Sequence, residues 1–274
     1  MIRIPFAKMS GAGNDFVVID NRDLILPHEV TGFLRKICQR RVSIGADGVL
    51  LVEESDLADF KMCYFNSDGK EVETCGNGAR CVSRFAYLNG IASDKMCFET
   101  KAGVYQSEVI KSNVRVRLGN PTQVRLNFPL QLSDGTYDVS FANTGVPHVV
   151  FLAEELEGID VTYLGNQIRY HKDFEPSGTN ANFVRVRSNR EIDIRTYERG
   201  VEDETFACGT GSVAGVIILA INGMVSSPVR VNTLSGFVLT VYFGLVDGEV
   251  QNICLEGDAR VICEGQILES AWEY

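Results

Sequence analysis

ETCGNGARC, residues 73–81, and FACGTGSVA, residues 206–214, each set a cysteine immediately before a Gly-x-Gly and the start of a helical stretch. The two stretches lie 133 residues apart and belong to a longer match. Cys75, Gly76 and Gly78 fall on Cys208, Gly209 and Gly211; Asn89 and Gly90 fall on Asn222 and Gly223; Ser93, Thr100 and Gly103 fall on Ser226, Thr233 and Gly236. These eight identities in 29 positions are the signature of an internal duplication, which has to be recognised before the fold class is assigned. At the same offset Tyr64 meets Tyr197, and GVLLV, which begins at Gly48, meets the strand that contains ANFVRV.

The segment order is the same in both halves: strand, polar loop, Cys-Gly-x-Gly, helix, Asn-Gly, then two strands around a Thr and a Gly. Asn-Gly is the expected helix stop, because these residues accept the left-handed conformation that ends a helix. GSVAGVIILAIN, residues 211–222, is apolar nearly all round, which predicts burial on every face. The predicted fold class is therefore α/β (α+β), with two pseudo-symmetric domains. Each is a mixed β-sheet wrapped around a central helix, and the active site falls in the cleft between them. The expected division is 1–121 and 122–264, with a tail at about 265–274 returning to the first half and the boundary in the GNPTQ turn, residues 119–123. Further helices are expected from Pro27 to about Arg40, where Val30, Phe33, Leu34 and Ile37 keep helical spacing, and near 152–164.

Composition narrows the function. The 274 residues are 45% hydrophobic and carry a formal charge of −10, which repels a phosphate backbone and leaves no basic stripe for nucleic acid. The longest apolar run, VAGVIILAI at 213–221, is too short to cross a bilayer of about 30 Å as a helix. The N-terminal MIRIPFAKMS lacks the apolar segment of a secretory signal, so the expectation is a cytoplasmic protein acting on a small molecule, with a homodimer one assembly left open. Eight cysteines without a secretory signal read as free thiols. Cys38, Cys63, Cys81, Cys97, Cys254 and Cys263 lie in apolar or strand-like surroundings and read as small hydrophobes. Metal binding is not expected: Cys75 and Cys81 lack ligand spacing and no histidine pair lies near them.

Cys75 and Cys208 differ from the other six. A helix start has unpaired N–H groups and a partial positive charge, so it lowers a thiol's pKa while the glycines allow close approach of a carboxylate. Two such starts on opposite sides of one cleft suit stereoinversion: one thiolate takes a proton from a carbon beside a carboxylate, and the other thiol returns a proton to the opposite face. This scheme needs no cofactor.

Five blocks, GAGNDFVVID, FNSDGKEVETCGNGARC, NTGVPHVVF, GTNANF and YERG with ETFACGTG, together resemble the diaminopimelate epimerase family across almost the whole chain. The resemblance implies a cofactor-independent amino acid epimerase interconverting LL- and meso-diaminopimelate, with Cys75 and Cys208 as its acid/base pair. It also implies an α-carboxylate cradle at Gly76, Asn77, Gly209 and Thr210, and recognition of the distal end by Asn14, Asn66, Asn180, Glu198 and Arg199. His148 and Glu198 fall where the family places residues that tune the thiols. SGAGNDF, residues 10–16, reads as a substrate loop, since it lacks the full dinucleotide-binding pattern.

Three positions depart from the family pattern: Gly48 replaces a common glutamine, Val146 replaces a common asparagine, and ERGVEDETFAC is one residue longer, with Glu202 and Asp203 in the added loop. The loop puts the placement of Glu198 and Arg199 relative to Cys208 in question. Relaxed specificity extending to glutamate racemisation and a thiol redox protein are the alternative functions.

Overall fold

The computed structural model describes residues 3–73 and 75–274, and among them backbone hydrogen bonding defines four α-helices and eighteen strands. The fold is mixed α/β, divided into two compact units. The first runs through Val116 and takes back Gly257–Tyr274; the second is Arg117–Glu256. The sequence puts the division at 121/122 and the return at about 265. The earlier return has a simple cause: the last strand pairs along the whole length of the first.

In the first unit the elements are β1 (Arg3–Gly11), β2 (Asn14–Asp20), α1 (Val30–Ile37), β3 (Gly48–Glu53), β4 (Phe60–Asn66), β5 (Glu71–Val72), α2 (Gly76–Leu88), β6 (Lys95–Thr100), β7 (Gly103–Ile110) and β8 (Asn113–Arg117). The second contains β9 (Thr122–Leu132), β10 (Gly135–Asn143), β11 (Pro147–Leu152), α3 (Val161–Arg169), β12 (Asn180–Ser188), β13 (Glu191–Glu198), β14 (Asp203–Thr205), α4 (Gly209–Ile221), β15 (Val229–Asn232), β16 (Val238–Val246) and β17 (Glu249–Asp258), after which β18 (Arg260–Leu268) rejoins the first.

Strand pairing establishes the duplication independently of sequence. In the first unit β18–β1 and β1–β2 are antiparallel, β2–β3 parallel, β3–β4 antiparallel, β4–β6 parallel and β6–β7 antiparallel. The second repeats the series as β9–β10, β10–β11, β11–β12, β12–β13, β13–β15 and β15–β16. The place held by β9 in the second unit is thus held by the C-terminal β18 in the first.

The register corrects the sequence alignment. Gly48 pairs with Asn66 in β3–β4, and Asn182 with Thr196 in β12–β13, which puts the strand hairpins at an offset of 132 while the helices keep 133. Tyr64 therefore matches Thr196 rather than Tyr197, and Leu50, its partner across β3–β4, matches Asn182. The extra residue lies between β13 and Cys208, where Glu202 takes a left-handed φ of 59°.

Each central helix is buried by its own sheet. Every residue of α4 from Gly211 to Ala220 is buried, and α2 hides Asn77–Ser83, Phe85 and Ala86. Both end in the same way: Gly90 (φ 67°) and Gly223 (φ 72°) follow the asparagines, Ile91 N–H donates to Ala86 O at 2.9 Å, and Met224 N–H to Leu219 O at 2.9 Å. The glycine supplies the left-handed residue; Asn89, at φ −93°, instead bonds Phe85 O through its side chain. The expected helix near 152–164 begins only at Val161, capped by Asp160 accepting from Tyr163 N–H at 2.9 Å. It packs Val161 and Ile168 into a core with Leu130, Phe141, Phe183 and Tyr197.

Gly165 of α3 fits tightly there, since an added Cβ would lie 2.3 Å from Tyr197 Cβ. Gly165→Ala, although it favours helix intrinsically, is expected to destabilise the protein by about 1–3 kcal/mol through overpacking. The check is the shift of the urea midpoint at constant m-value.

Candidate active site

Cys75 and Cys208 occupy the same local position in their units, the N-cap of the central helix. Both have extended backbones, and each sulfur accepts from the third residue onward, Gly78 N–H at 3.5 Å and Gly211 N–H at 3.4 Å. That leaves the amides of Gly76 and Asn77, and of Gly209 and Thr210, without intrahelical acceptors, as helix geometry requires. Each half thus offers a thiol beside two such donors, the arrangement that binds a carboxylate.

In the first unit Asn14 follows a two-residue turn in which Ala12 (φ 54°) and Gly13 (φ 93°) are both left-handed. The SGAGNDF stretch is therefore a tight hairpin that delivers Asn14 to the helix start. A chain of directed hydrogen bonds sets its amide. Asn14 Nδ2 donates to Asp47 at 2.7 Å, so Asn14 Oδ1 accepts from Asn77 Nδ2 at 3.4 Å and from the Cys75 thiol at 3.8 Å. Asp47 is held by Arg40 at 2.8 Å, and Arg40 also pairs with Asp15. Burial works against the Asp15 charge, but Arg40 and Lys8 outweigh it and bring its pKa down to about 2.

Arg80, absent from the sequence-predicted set, lies beneath this half. It is fully buried, with Nη2 donating to Asn77 Oδ1 at 2.9 Å, Nε to Asp258 O at 3.2 Å and Nη1 to Gly76 O at 3.4 Å. Desolvation pulls its pKa down. A buried guanidinium that donates to these three neutral oxygens is costly unless its charge is used. Asn66 stands at the exposed end of β4, where its backbone closes a turn with Gly69 and Lys70.

In the second unit His148, Asn180, Glu198 and Arg199 are neighbours through register. His148 pairs with Asn180 across the parallel β11–β12, and Asn180 lies opposite the end of β13. Asn180 Nδ2 donates to Pro147 O at 3.0 Å and Asn180 Oδ1 accepts from Arg199 N–H at 2.8 Å. The backbone of Arg199 is thus tied to Asn180. Its guanidinium donates to Ser177 O at 3.1 Å. The added acidic residues turn towards α3: Glu202 accepts from Arg169 at 3.1 Å and Asp203 from Thr162 at 3.1 Å. Glu198 accepts from Thr205 at 3.0 Å, and burial raises its pKa. Thr210 Oγ1 lies 3.5 Å from Cys208 Sγ. His148 is fully buried, and desolvation, with the charge of Arg199, lowers its pKa to about 3. Asn182, also missed, hydrogen-bonds its ring. Strand alternation carried that signal, because Asn180 and Asn182 share one face of β12.

Comparison with known proteins identifies the family. A family model described as diaminopimelate epimerase matches residues 6–124 and 140–250. Diaminopimelate epimerase of Aquifex aeolicus is 43% identical over 98% of this chain and 99% of its own length, and that of Chlorobaculum tepidum 42% identical over 94% and 99%. Among solved structures, a probable proline racemase from Agrobacterium radiobacter K84 superposes with a TM-score of 0.71 at 14% identity, covering 98% of this chain and 94% of that one. A phenazine biosynthesis protein of the PhzF family from Bacillus anthracis gives 0.70 at 17%, covering 98% and 100%; both likenesses are of fold. With a family model spanning most of its length and relatives above 40% identity end to end, the chain belongs to the diaminopimelate epimerase family.

Proposed function

We propose that this protein epimerises one stereocentre of diaminopimelate, converting the LL form to the meso form, with one thiolate removing the α-proton and the opposite thiol giving its own proton to the other face of the carbon. The observation that carries this reading is the paired cysteine N-cap: each sulfur sits at the start of a buried helix with two amides beside it that have no acceptor within the helix. An α-carboxylate bound by those amides would share the charge that develops when the α-proton leaves, which is where electrostatic stabilisation acts most. Inversion requires the two thiols to act on opposite faces of one carbon, one as base and one as acid.

The two sulfurs are poised differently. Asn14 Oδ1 accepts from the Cys75 thiol and so favours its protonated form, whereas the Arg80 charge and the helix start favour the thiolate. Such a balance suits a group that is base in one direction and acid in the other. Cys208 has the Gly211 amide and the Thr210 hydroxyl as neighbours, both able to donate to a thiolate. A helix start contributes about 1 kcal/mol, or roughly one pKa unit, which by itself leaves a thiol mostly protonated near neutral pH. Arg80 adds to this in the first unit. The distal end of the substrate, an amino acid group with its own carboxylate, falls to Arg199, Asn180 and Glu198 in this reading. Because Glu202 and Asp203 are engaged by α3, the longer loop gives no reason to expect glutamate as a substrate. The reading places the enzyme in the cytoplasm, with reduced thiols.

In D₂O, reduced protein should introduce deuterium at the α-carbon of LL-diaminopimelate without added pyridoxal phosphate and leave L-glutamate unlabelled. Cys75→Ala and Cys208→Ala should each abolish epimerisation, measured by chiral chromatography; turnover in either variant would overturn the two-thiol scheme. Arg80→Met, which keeps most of the buried volume and removes the charge, is expected to raise the Cys75 pKa. The pH dependence of iodoacetamide alkylation in a Cys208→Ala background, with Cys75 followed by peptide mass spectrometry, reads that shift.

A further inference from the structure

The duplicated fold provides an internal comparison. Through the register, His148 corresponds to Phe16 and Asn182 to Leu50. The first unit fills these places with apolar side chains, so the architecture does not require a polar pair. The second unit buries a histidine and an asparagine there, both fully inaccessible. Burying two polar groups where a Phe and a Leu suffice is unfavourable unless their hydrogen bonds serve a purpose.

Those bonds leave little freedom. Asn182 Nδ2 donates to Val149 O at 2.8 Å, and a carbonyl can only accept, so the amide orientation is determined. Thr196 Oγ1 donates to Asn182 Oδ1 at 3.1 Å from the other side. The second Nδ2 hydrogen then points to His148 Nδ1 at 3.1 Å, which must accept it. The ring proton is consequently on Nε2, and Nε2 has no hydrogen-bond partner among the described residues although it is buried. Gly211 belongs to the same lock, since a Cβ there would lie 2.3 Å from Asn182 Oδ1.

We propose that Asn182 is a positioning residue that holds His148 as a neutral Nε2–H donor, so that His148 serves the site by donating a hydrogen bond to an anion and not by carrying a proton. The inference rests on the epimerase reading for what the anion is, a substrate carboxylate or the Cys208 thiolate. The tautomer itself does not depend on that reading. Burial agrees with it, because it keeps the ring uncharged across the working pH range.

Long-range ¹H–¹⁵N spectra of protein labelled in its three histidines distinguish Nδ1–H from Nε2–H, with His148→Gln assigning the signal. The expected result is a single Nε2–H tautomer between pH 5 and 9 in the wild type. Asn182→Leu, the residue the first unit uses, should mix the tautomers and lower kcat about tenfold or more with a smaller change in KM, while Asn182→Asp should move the proton onto Nδ1. Adding diaminopimelate should shift the Nε2–H signal; if the shift survives in Cys208→Ala the acceptor is the substrate, and if it is lost the acceptor is the thiolate. A wild-type ring protonated at Nδ1 or on both nitrogens, or a tautomer unchanged in a folded Asn182→Leu protein, would overturn the proposal. An Nε2–H ring in a protein that exchanges no α-proton would leave the tautomer assignment standing and refute the epimerase reading alone.

Discussion

A cysteine sulfur at a helix N-cap is the constraint on which both halves depend. Oxygen caps are better acceptors, and a helix start closed by Sγ at about 3.5 Å gains little from the cap itself. The helices are held in place by burial instead, α4 on every side. Stability therefore resides in the packed sheet and helix body, and the cap is left available for chemistry. The third residue is glycine in both cases, and the space beside it is tight in the first half and closed in the second. A Cβ at Gly78 would come within 3.0 Å of Leu50, and one at Gly211 within 2.3 Å of Asn182, so the strand beneath presses directly against the thiol's own amide donor.

Duplication produced equivalent backbones with unequal chemistry. Four positions matched through the strand registers have diverged: Phe16 against His148, Gly48 against Asn180, Leu50 against Asn182 and Asn66 against Glu198. The first unit surrounds its thiol with amides and fixed charges, in the order Arg80, Asn77, Asn14, Asp47 and Arg40. The second has the Thr210 hydroxyl and the Gly211 amide beside its thiol, and elsewhere buries a hydrogen-bonded His148–Asn182 pair and a Glu198 carboxyl whose pKa is raised by burial. A substrate with one stereocentre to invert and one distal group to recognise calls for such inequality.

Much of this was legible in the sequence because it is local. Cys-Gly-x-Gly followed by a small and apolar run specifies a buried helix with an open N-terminus, and Asn-Gly specifies where it stops, whatever the chain does elsewhere. The strands β9 and β18 were not legible. TQVRLNFPLQL contains a proline, left-handed Gln123 and Asn127, and a mostly exposed first half, so it carries no clean alternation. Residues 260–268 are also largely exposed and become a strand through pairing with β1, far away in sequence.

The sequence by itself determined that there are two homologous halves and which family the chain belongs to, and it singled out two of eight cysteines as candidates for the chemistry. Tertiary structure alone decided the one-residue slip between strand and helix registers, the burial of Arg80 and the hydrogen-bond partner of the His148 ring. The physical reason is the same in each case. Register, desolvation and hydrogen bonding are set by partners from distant strands, and a side chain's own neighbours in the chain say nothing about which carbonyl or amide it will meet when the sheet closes.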